Sequence, residues 1–220
     1  MALCDIDISY CNSNILISFF ILYKNKLRLI KMNTRILDGT TYLSNGVKVS
    51  KNNIIIKFLG ELDELSAEIG YINALVYKNL KKIENPNLIY KYYDILYEFQ
   101  KDINIIEHKI LFEKSDAELS TNKIENYLKE IDKLLPVQQM FVLSGGNITI
   151  ASIFKARAKC RTAERRLVSM NYYYFNSEAL TNNNIYNIHK CLEYINILSD
   201  YFYILARYTY NVLEIEEIVI

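Results

Sequence analysis

FVLSGGNITIASIFKARAKCRTAERRLVSM, residues 141–170, is the stretch on which the reading of this chain turns. It opens on an apolar run, Phe141-Val142-Leu143, and breaks at Ser144-Gly145-Gly146, where paired glycines permit backbone angles that side chains forbid. The remainder predicts one long helix with two faces. Ile153, Ala156, Cys160, Ala163, Leu167 and Met170 recur at three- and four-residue steps and form an apolar stripe. Arg157, Arg161, Glu164 and Arg165 also recur at helical spacing and share a different face. Such a row is ordinarily a solvated face, worth about a few tenths of a kcal/mol per ion pair. Three arginines in line also present rigid, permanently charged forks, which suit a polyphosphate better than a lone carboxylate. The apolar run and glycine turn directly upstream would let a planar apolar ligand sit beside them.

The chain around this stretch is helical by the same criteria. Its 220 residues, 51% apolar, suffice for one domain with a sizeable core. Only 6 Gly and 2 Pro argue against a turn-rich β protein. A first core helix is predicted over Phe58 to Val76, with Leu62, Leu65, Ile69, Ile72 and Leu75 inward. A second runs from Leu88 to Phe112, with Ile95, Leu96, Phe99, Ile103, Ile106 and Ile110 inward. Asn122-x-x-Glu125 has the capping-box pattern for a third, with Ile124, Leu128, Ile131, Leu134 and Leu135 inward and Pro136 ending it. Asn171 to Asn184 reads as a loop, and Ile185 to Leu213 as the last helix. Ile188, Cys191, Ile195, Leu198, Phe202 and Leu205 make its stripe; Asn196, Ser199, Asp200 and Arg207 share a polar side. Five helical segments predict an all-α, up-down bundle.

Several function classes are disfavoured. With 26 basic and 25 acidic residues the chain has no electrostatic case for generic nucleic-acid binding. No CxxC pair occurs among Cys4, Cys11, Cys160 and Cys191, so a zinc site is not expected; the latter two read as buried small hydrophobes. Neither His108 nor His189 has a Glu three residues before it, which removes the Glu-x-x-His pairs of a di-iron bundle. Residues 1–32 read as a leader outside the fold, leaving 33–220 as the domain. The leader's apolar run, ILISFFILY, is too short to span a bilayer. Its basic residues Lys24, Lys26, Arg28 and Lys31 follow that run while Asp5 and Asp7 precede it, opposite to a secretory signal. An organelle-targeting role stays open, giving a mitochondrial location in a eukaryote and a cytoplasmic one otherwise.

Separated motifs, correctly ordered from about Asn33 to Asn211, resemble the PduO-type ATP:cob(I)alamin adenosyltransferases, whose bundle is ferritin-like. Phe141-Val142-Leu143-Ser144-Gly145-Gly146 followed by Arg157-x-x-Cys160-Arg161-x-Ala163-Glu164-Arg165-Arg166 looks like their signature. YINILSDYFYILAR, residues 194–207, is similar to the family's YLNRLSDLLFVLAR, with Ile197 in place of its arginine. Gly60-x-x-Asp63-Glu64-Leu65-Ser66 resembles G-x-x-D-E-L-N/S, though Lys57 stands where an acidic residue is usual, and Gln100 fits an I/L-Q pattern. The polar segment Asn33–Asn53 looks like the nucleotide loop TxTGDxGxTxL. Thr34, Arg35, Asp38, Gly39, Thr41 and Leu43 match, and Lys51 matches a later lysine. Ile36 and Leu37 replace Thr-Gly, and one residue is missing between Asp38 and Gly39, so the backbone cannot make the same turn as cheaply.

The resemblance implies transfer of the 5′-deoxyadenosyl group of ATP to cob(I)alamin, giving adenosylcobalamin and triphosphate, at sites between subunits of a homotrimer. It implies that Thr34, Arg35, Thr41, Lys51, Arg161, Glu164, Arg165 and Asn196 bind ATP and its Mg²⁺. Asp63 would pair with Arg157 of a neighbouring subunit. Phe141 would lie against the lower corrin face, excluding an axial ligand; without the resemblance it reads as a core phenylalanine. No nucleic acid or membrane is implied, and hand-off of product to a B12-dependent mutase stays open. The rival readings are a diverged helical interaction protein that keeps the fold, and an RNA-binding arginine helix.

Overall fold

The structure is a computed structural model that describes residues 38–43, 46–79, 86–112, 118–175 and 182–220. The chain divides into two units, Met1–Thr40 and Thr41–Ile220. The leader, and with it Cys4 and Cys11, lies outside the described residues. Two short strands, β1 (Thr40–Tyr42) and β2 (Lys48–Ser50), pair in the region read as a polar loop. Gly46, at φ 85, turns the chain between them. Five helices follow: α1 (Ile54–Asn79), α2 (Pro86–Leu111), α3 (Asn122–Asp132), α4 (Ile148–Phe175) and α5 (Asn182–Val212).

The architecture is the expected all-α bundle. Helix α1 packs on α2 and α4, and α5 packs on α4, α2 and α3. The four long helices thus close a ring around one core. Each inward stripe supplies that core. Leu62, Leu65, Ile69 and Ile72 of α1 are buried, as are Leu96, Phe99, Ile103 and Ile106 of α2. Ile153, Ala156, Cys160, Ala163, Leu167 and Met170 of α4 meet Cys191, Ile195, Leu198, Phe202 and Leu205 of α5 in the same cluster. Phe99 adds edge-to-face contacts with Tyr201 and Phe202. Burial pushes the Cys191 thiol up to about 12, and the Cys160 thiol is also raised by burial. Both are free and behave as hydrophobes.

The boundaries differ from the sequence reading, for local reasons. Helix α1 starts four residues early because Asn53 caps it: its Oδ1 accepts the Ile55 N–H at 2.8 Å. Helices α4 and α5 run into the supposed 171–184 loop, so its flanks are helical. The capping box at Asn122 does not form. Asn122 is already the first helical residue; Thr121 holds the cap position in a helical conformation without a side-chain cap bond. Helix α3 stops at Asp132, before Pro136, and tight turns from Leu134 to Ile131 and from Leu135 to Asp132 follow. Leu134 is consequently exposed, not inward.

The end of α5 has a particular geometry. Ile215 N–H bonds the Tyr210 carbonyl at 3.0 Å and Glu214 N–H bonds the Asn211 carbonyl at 3.1 Å. With Glu214 at φ 52 this is a Schellman turn whose left-handed position, usually glycine, is a glutamate. The turn sends residues 215–220 back along the bundle. There Val219 forms an antiparallel bridge with Val142.

Candidate functional site

The site is built around the break before α4. Gly146 has φ 87, and a Cβ there would meet the Tyr210 hydroxyl at 2.9 Å. Only glycine lets the chain cross α5 so closely. Burial raises the Tyr210 hydroxyl's pKa, and that hydroxyl has no hydrogen-bond partner. Asn147 then starts α4 by accepting the Ile150 N–H on its Oδ1 at 2.9 Å. That cap sets the helix phase, and with it the direction in which every α4 arginine points.

Arg157 is half-buried, its guanidinium carbon 5.3 Å from the centre of the Tyr203 ring. Its Nε is buried and has no hydrogen-bond partner. An unsatisfied donor of a charged group costs on the order of 1–3 kcal/mol or more, which makes Arg157 Nε a candidate position for a further partner. A pocket of about 310 Å³ opens beside it, lined by Gln138, Phe141, Val142, Ser144, Phe154, Arg157 and Tyr203. Phe141 stands at this pocket with 78% of its surface exposed. That overturns the reading of Phe141 as a core residue: the helical stripes fill the core without it.

Further along α4, Arg161 and Arg165 are exposed. Arg165 Nη2 donates to Thr162 Oγ1 on its own helix at 3.0 Å. Arg161 makes no hydrogen bond or ion pair among the described residues. Asn196 Nδ2 donates to Glu164 Oε1 at 3.0 Å and ties α5 to α4 at the edge of the arginine row. A carboxylate fixed beside cations is a suitable partner for a metal–phosphate complex, since Mg²⁺ on phosphates needs only one or two carboxylates. Among the described residues no group of three His, Cys, Asp or Glu could hold a metal by itself.

The cobalamin adenosyltransferase family model matches residues 37–209. The chain belongs to that family. It is 32% identical over 181 residues to a cobalamin adenosyltransferase of Cupriavidus metallidurans, covering 82% of this chain and 88% of the relative. It is 25% identical over 182 residues to the corrinoid adenosyltransferase MMAB of Bos taurus, covering 78% and 67%. A variant PduO-type ATP:corrinoid adenosyltransferase from Lactobacillus reuteri, solved with cobalamin and ATP, superposes with a TM-score of 0.69. The two share 24% identity over 86% of this chain and 99% of that one, a likeness of fold.

The family's signature residues fall at separate places in this adenosyltransferase fold. Phe141 and Arg157 share the pocket, and Glu164 and Asn196 touch. Asp63 is exposed on α1 and makes no hydrogen bond or ion pair among the described residues, so no Asp63–Arg157 pair forms within them. Lys51 is exposed in the turn after β2 and Thr41 is half-buried in β1. Asp38 Oδ1 accepts from the Thr40 N–H at 3.0 Å and hydroxyl at 2.5 Å, an Asx turn around Gly39 at φ 73. Thr34 and Arg35 lie outside the described residues.

The polar side read on the last helix does not hold as one face. Asn196 and Asp200 are exposed, while Ser199 and Arg207 are buried. Tyr203 and Gln138 were missed altogether. Among 19 tyrosines Tyr203 carries no distinguishing signal except its place two turns past Asn196. Gln138 lies in a segment with no periodicity to read.

Proposed function

We propose that this chain transfers the 5′-deoxyadenosyl group of ATP to cob(I)alamin. The observation that carries the reading is the pairing of two features on one helix. Arg157 has a buried, unpartnered donor at a pocket of mixed lining that includes an exposed Phe141. One turn on stands Arg161, which has no hydrogen-bond or ion-pair partner among the described residues, followed by Arg165. An apolar, planar substrate and a polyanionic one fit side by side.

Cobalt(I) supplies the electron pair; it attacks C5′, the cobalt–carbon bond forms, the C5′–oxygen bond breaks, and triphosphate leaves with that bond's electrons. No protein nucleophile is required. Arg161, Arg165 and Lys51 neutralise the charge that gathers on the departing triphosphate. The family motif assigns nucleotide binding to Thr34, Arg35 and Thr41 as well. Glu164 and Asn196 hold the nucleotide with its Mg²⁺ so that C5′ faces cobalt in line. Phe141 excludes a ligand from the lower face of the corrinoid. Three copies of the chain assemble, and Asp63 of one subunit answers the orphaned Nε of Arg157 on the next. The exposure of Asp63 and the burial of that Nε support this arrangement.

The test is direct. The protein is mixed with ATP, Mg²⁺ and chemically reduced cobalamin, and the spectrum is followed. Conversion to adenosylcobalamin with stoichiometric triphosphate is expected. A spectrum that stays that of the reduced or reoxidised corrinoid, with ATP intact, would leave the chain as a diverged interaction protein on this fold.

A further inference from the structure

Phe141 is exposed, so its own side-chain packing does not hold it in place. Its backbone is held instead, from the segment that follows α5. Leu143 N–H donates to the Ile218 carbonyl at 2.7 Å, and Ile220 N–H donates to the Phe141 carbonyl at 3.0 Å. The Val142–Val219 bridge lies between them. Val142 is therefore bracketed by the two bonds of a short antiparallel ladder, one of which holds the Phe141 carbonyl. The other strand of that ladder is fixed by a single cation. Arg207, only 3% exposed, donates from Nε to Glu217 Oε1 at 2.8 Å and from Nη2 to the Pro136 carbonyl at 3.0 Å. Pro136 begins the segment that carries Phe141, and Glu217 begins the strand that grips it. One planar fork thus joins both strands to α5, a geometry lysine cannot reproduce.

We infer that Arg207, Glu217 and the 217–220 strand are positioning elements for the corrinoid side of the site, setting where the Phe141 ring stands over the pocket. None of the three touches the reacting atoms. Phe141, Val142 and Arg157 line the pocket directly, whereas Arg161 and Arg165 lie further along α4. Loosening the ladder displaces the Phe141–Val142 wall and leaves Arg161 and Arg165 unchanged. A misplacement of the order of an ångström at a reacting site is enough to cost up to about 100-fold in rate.

This inference rests on the placement of Phe141 at the corrinoid, and the experiment separates the two. Glu217→Ala, Glu217→Gln and Ile220→Pro are compared with Phe141→Ala and wild type, measuring KM for cobalamin, KM for ATP, kcat and Tm. Glu217→Gln keeps the accepting oxygen. Ile220→Pro removes the N–H that holds the Phe141 carbonyl and leaves every charge in place. Glu217→Ala and Ile220→Pro are expected to raise KM for cobalamin by on the order of tenfold, with KM for ATP near wild type, and Glu217→Gln to recover most of the loss. Equal changes in both KM values, tracking a fall in Tm, would mean the ladder is only structural and overturn the inference. So would wild-type kinetics in Ile220→Pro while Phe141→Ala is impaired. If Phe141→Ala itself keeps the wild-type KM for cobalamin, the placement of Phe141 fails, and the positioning role with it.

Discussion

Helix α4 carries cations on both flanks of its apolar stripe, and the flanks differ in what they meet. On the flank toward α1, Lys155 reaches Glu68 at 2.7 Å, Lys159 bonds Glu64, and Arg166 reaches Glu61 at 3.4 Å. Three cations on one face of α4 meet three carboxylates on one face of α1, a ladder that joins α1 to α4. On the other flank, among the described residues, Arg157 has no hydrogen-bond partner for its Nε, Arg161 has no hydrogen-bond or ion-pair partner, and Arg165 reaches only a threonine of its own turn. The first flank is neutralised within the chain and has nothing left for a ligand. The second retains its charge and meets the pocket at Arg157. A count of basic residues does not separate them; the acidic residues of the neighbouring helix do.

The sharpest way to break this comparison is to cut one cation from the unpaired flank. Arg161→Ala is expected to lower kcat/KM roughly 10- to 150-fold, the equivalent of losing a charge-assisted contact worth about 1.5–3 kcal/mol. Its Tm should stay at the wild-type value, because Arg161 makes no contact to lose. A variant that melts early, or turns over ATP normally, would show that the flank is misassigned.

A second test asks whether the orphaned donor is answered across a subunit boundary. Asp63→Ala and Arg157→Ala should each lower activity by a similar factor, on the order of tenfold or more, if they form one pair. The exchanged variant, Asp63→Arg with Arg157→Asp, should regain part of it. Sedimentation measures assembly alongside. A wild-type protein that sediments as a monomer at micromolar concentration removes the shared site.

The turn that aims α4 gives a smaller effect, on stability. Gly146→Ala places a side chain at φ 87 and against the Tyr210 hydroxyl. The expected loss is about 1–3 kcal/mol in urea unfolding. Its complement is Glu214→Gly, which relieves a left-handed glutamate and is expected to stabilise by about 0.5–1 kcal/mol. A neutral Gly146→Ala would mean the crossing over α5 tolerates displacement, and that the arginine row is aimed less firmly than its cap suggests.

The bundle was legible because periodicity reports burial: every residue assigned to the α4 stripe is buried. The arginine row was legible for the same reason, since helical spacing alone places Arg157, Arg161 and Arg165 together. What periodicity cannot reach is the partner of a side chain. Nothing local to Lys155 or Lys159 announces Glu68 and Glu64, nearly a hundred residues earlier, so the ladder flank was not separated from the free one. Arg207 was misread similarly. Its spacing put it on a polar face, but the strand after the Schellman turn covers it and supplies Glu217. That strand depends on long-range backbone pairing between two aperiodic segments, which no window of sequence displays.

The smallest expected effect probes the paired flank. Lys159→Met should leave kcat/KM at the wild-type value, because its charge is already committed to Glu64. If it impairs turnover as Arg161→Ala does, the two flanks are not functionally distinct. The change in stability should be small, since Glu64 is largely exposed and solvent screens the pair. Its pH dependence gives it a signature. The hydrogen bond from Lys159, and then the charge of Lys159, hold the Glu64 carboxyl below the usual carboxylate range. A depressed folded-state pKa contributes stability above the unfolded value, and that contribution is lost as pH falls through the folded one. Tm curves of wild type and Glu64→Gln should therefore be separated at neutral pH and converge in acid. Added salt should narrow the gap at neutral pH as well. A gap that persists unchanged below the carboxylate range would show that Glu64 acts through packing, and the ladder would then be a row of contacts in which charge plays no part.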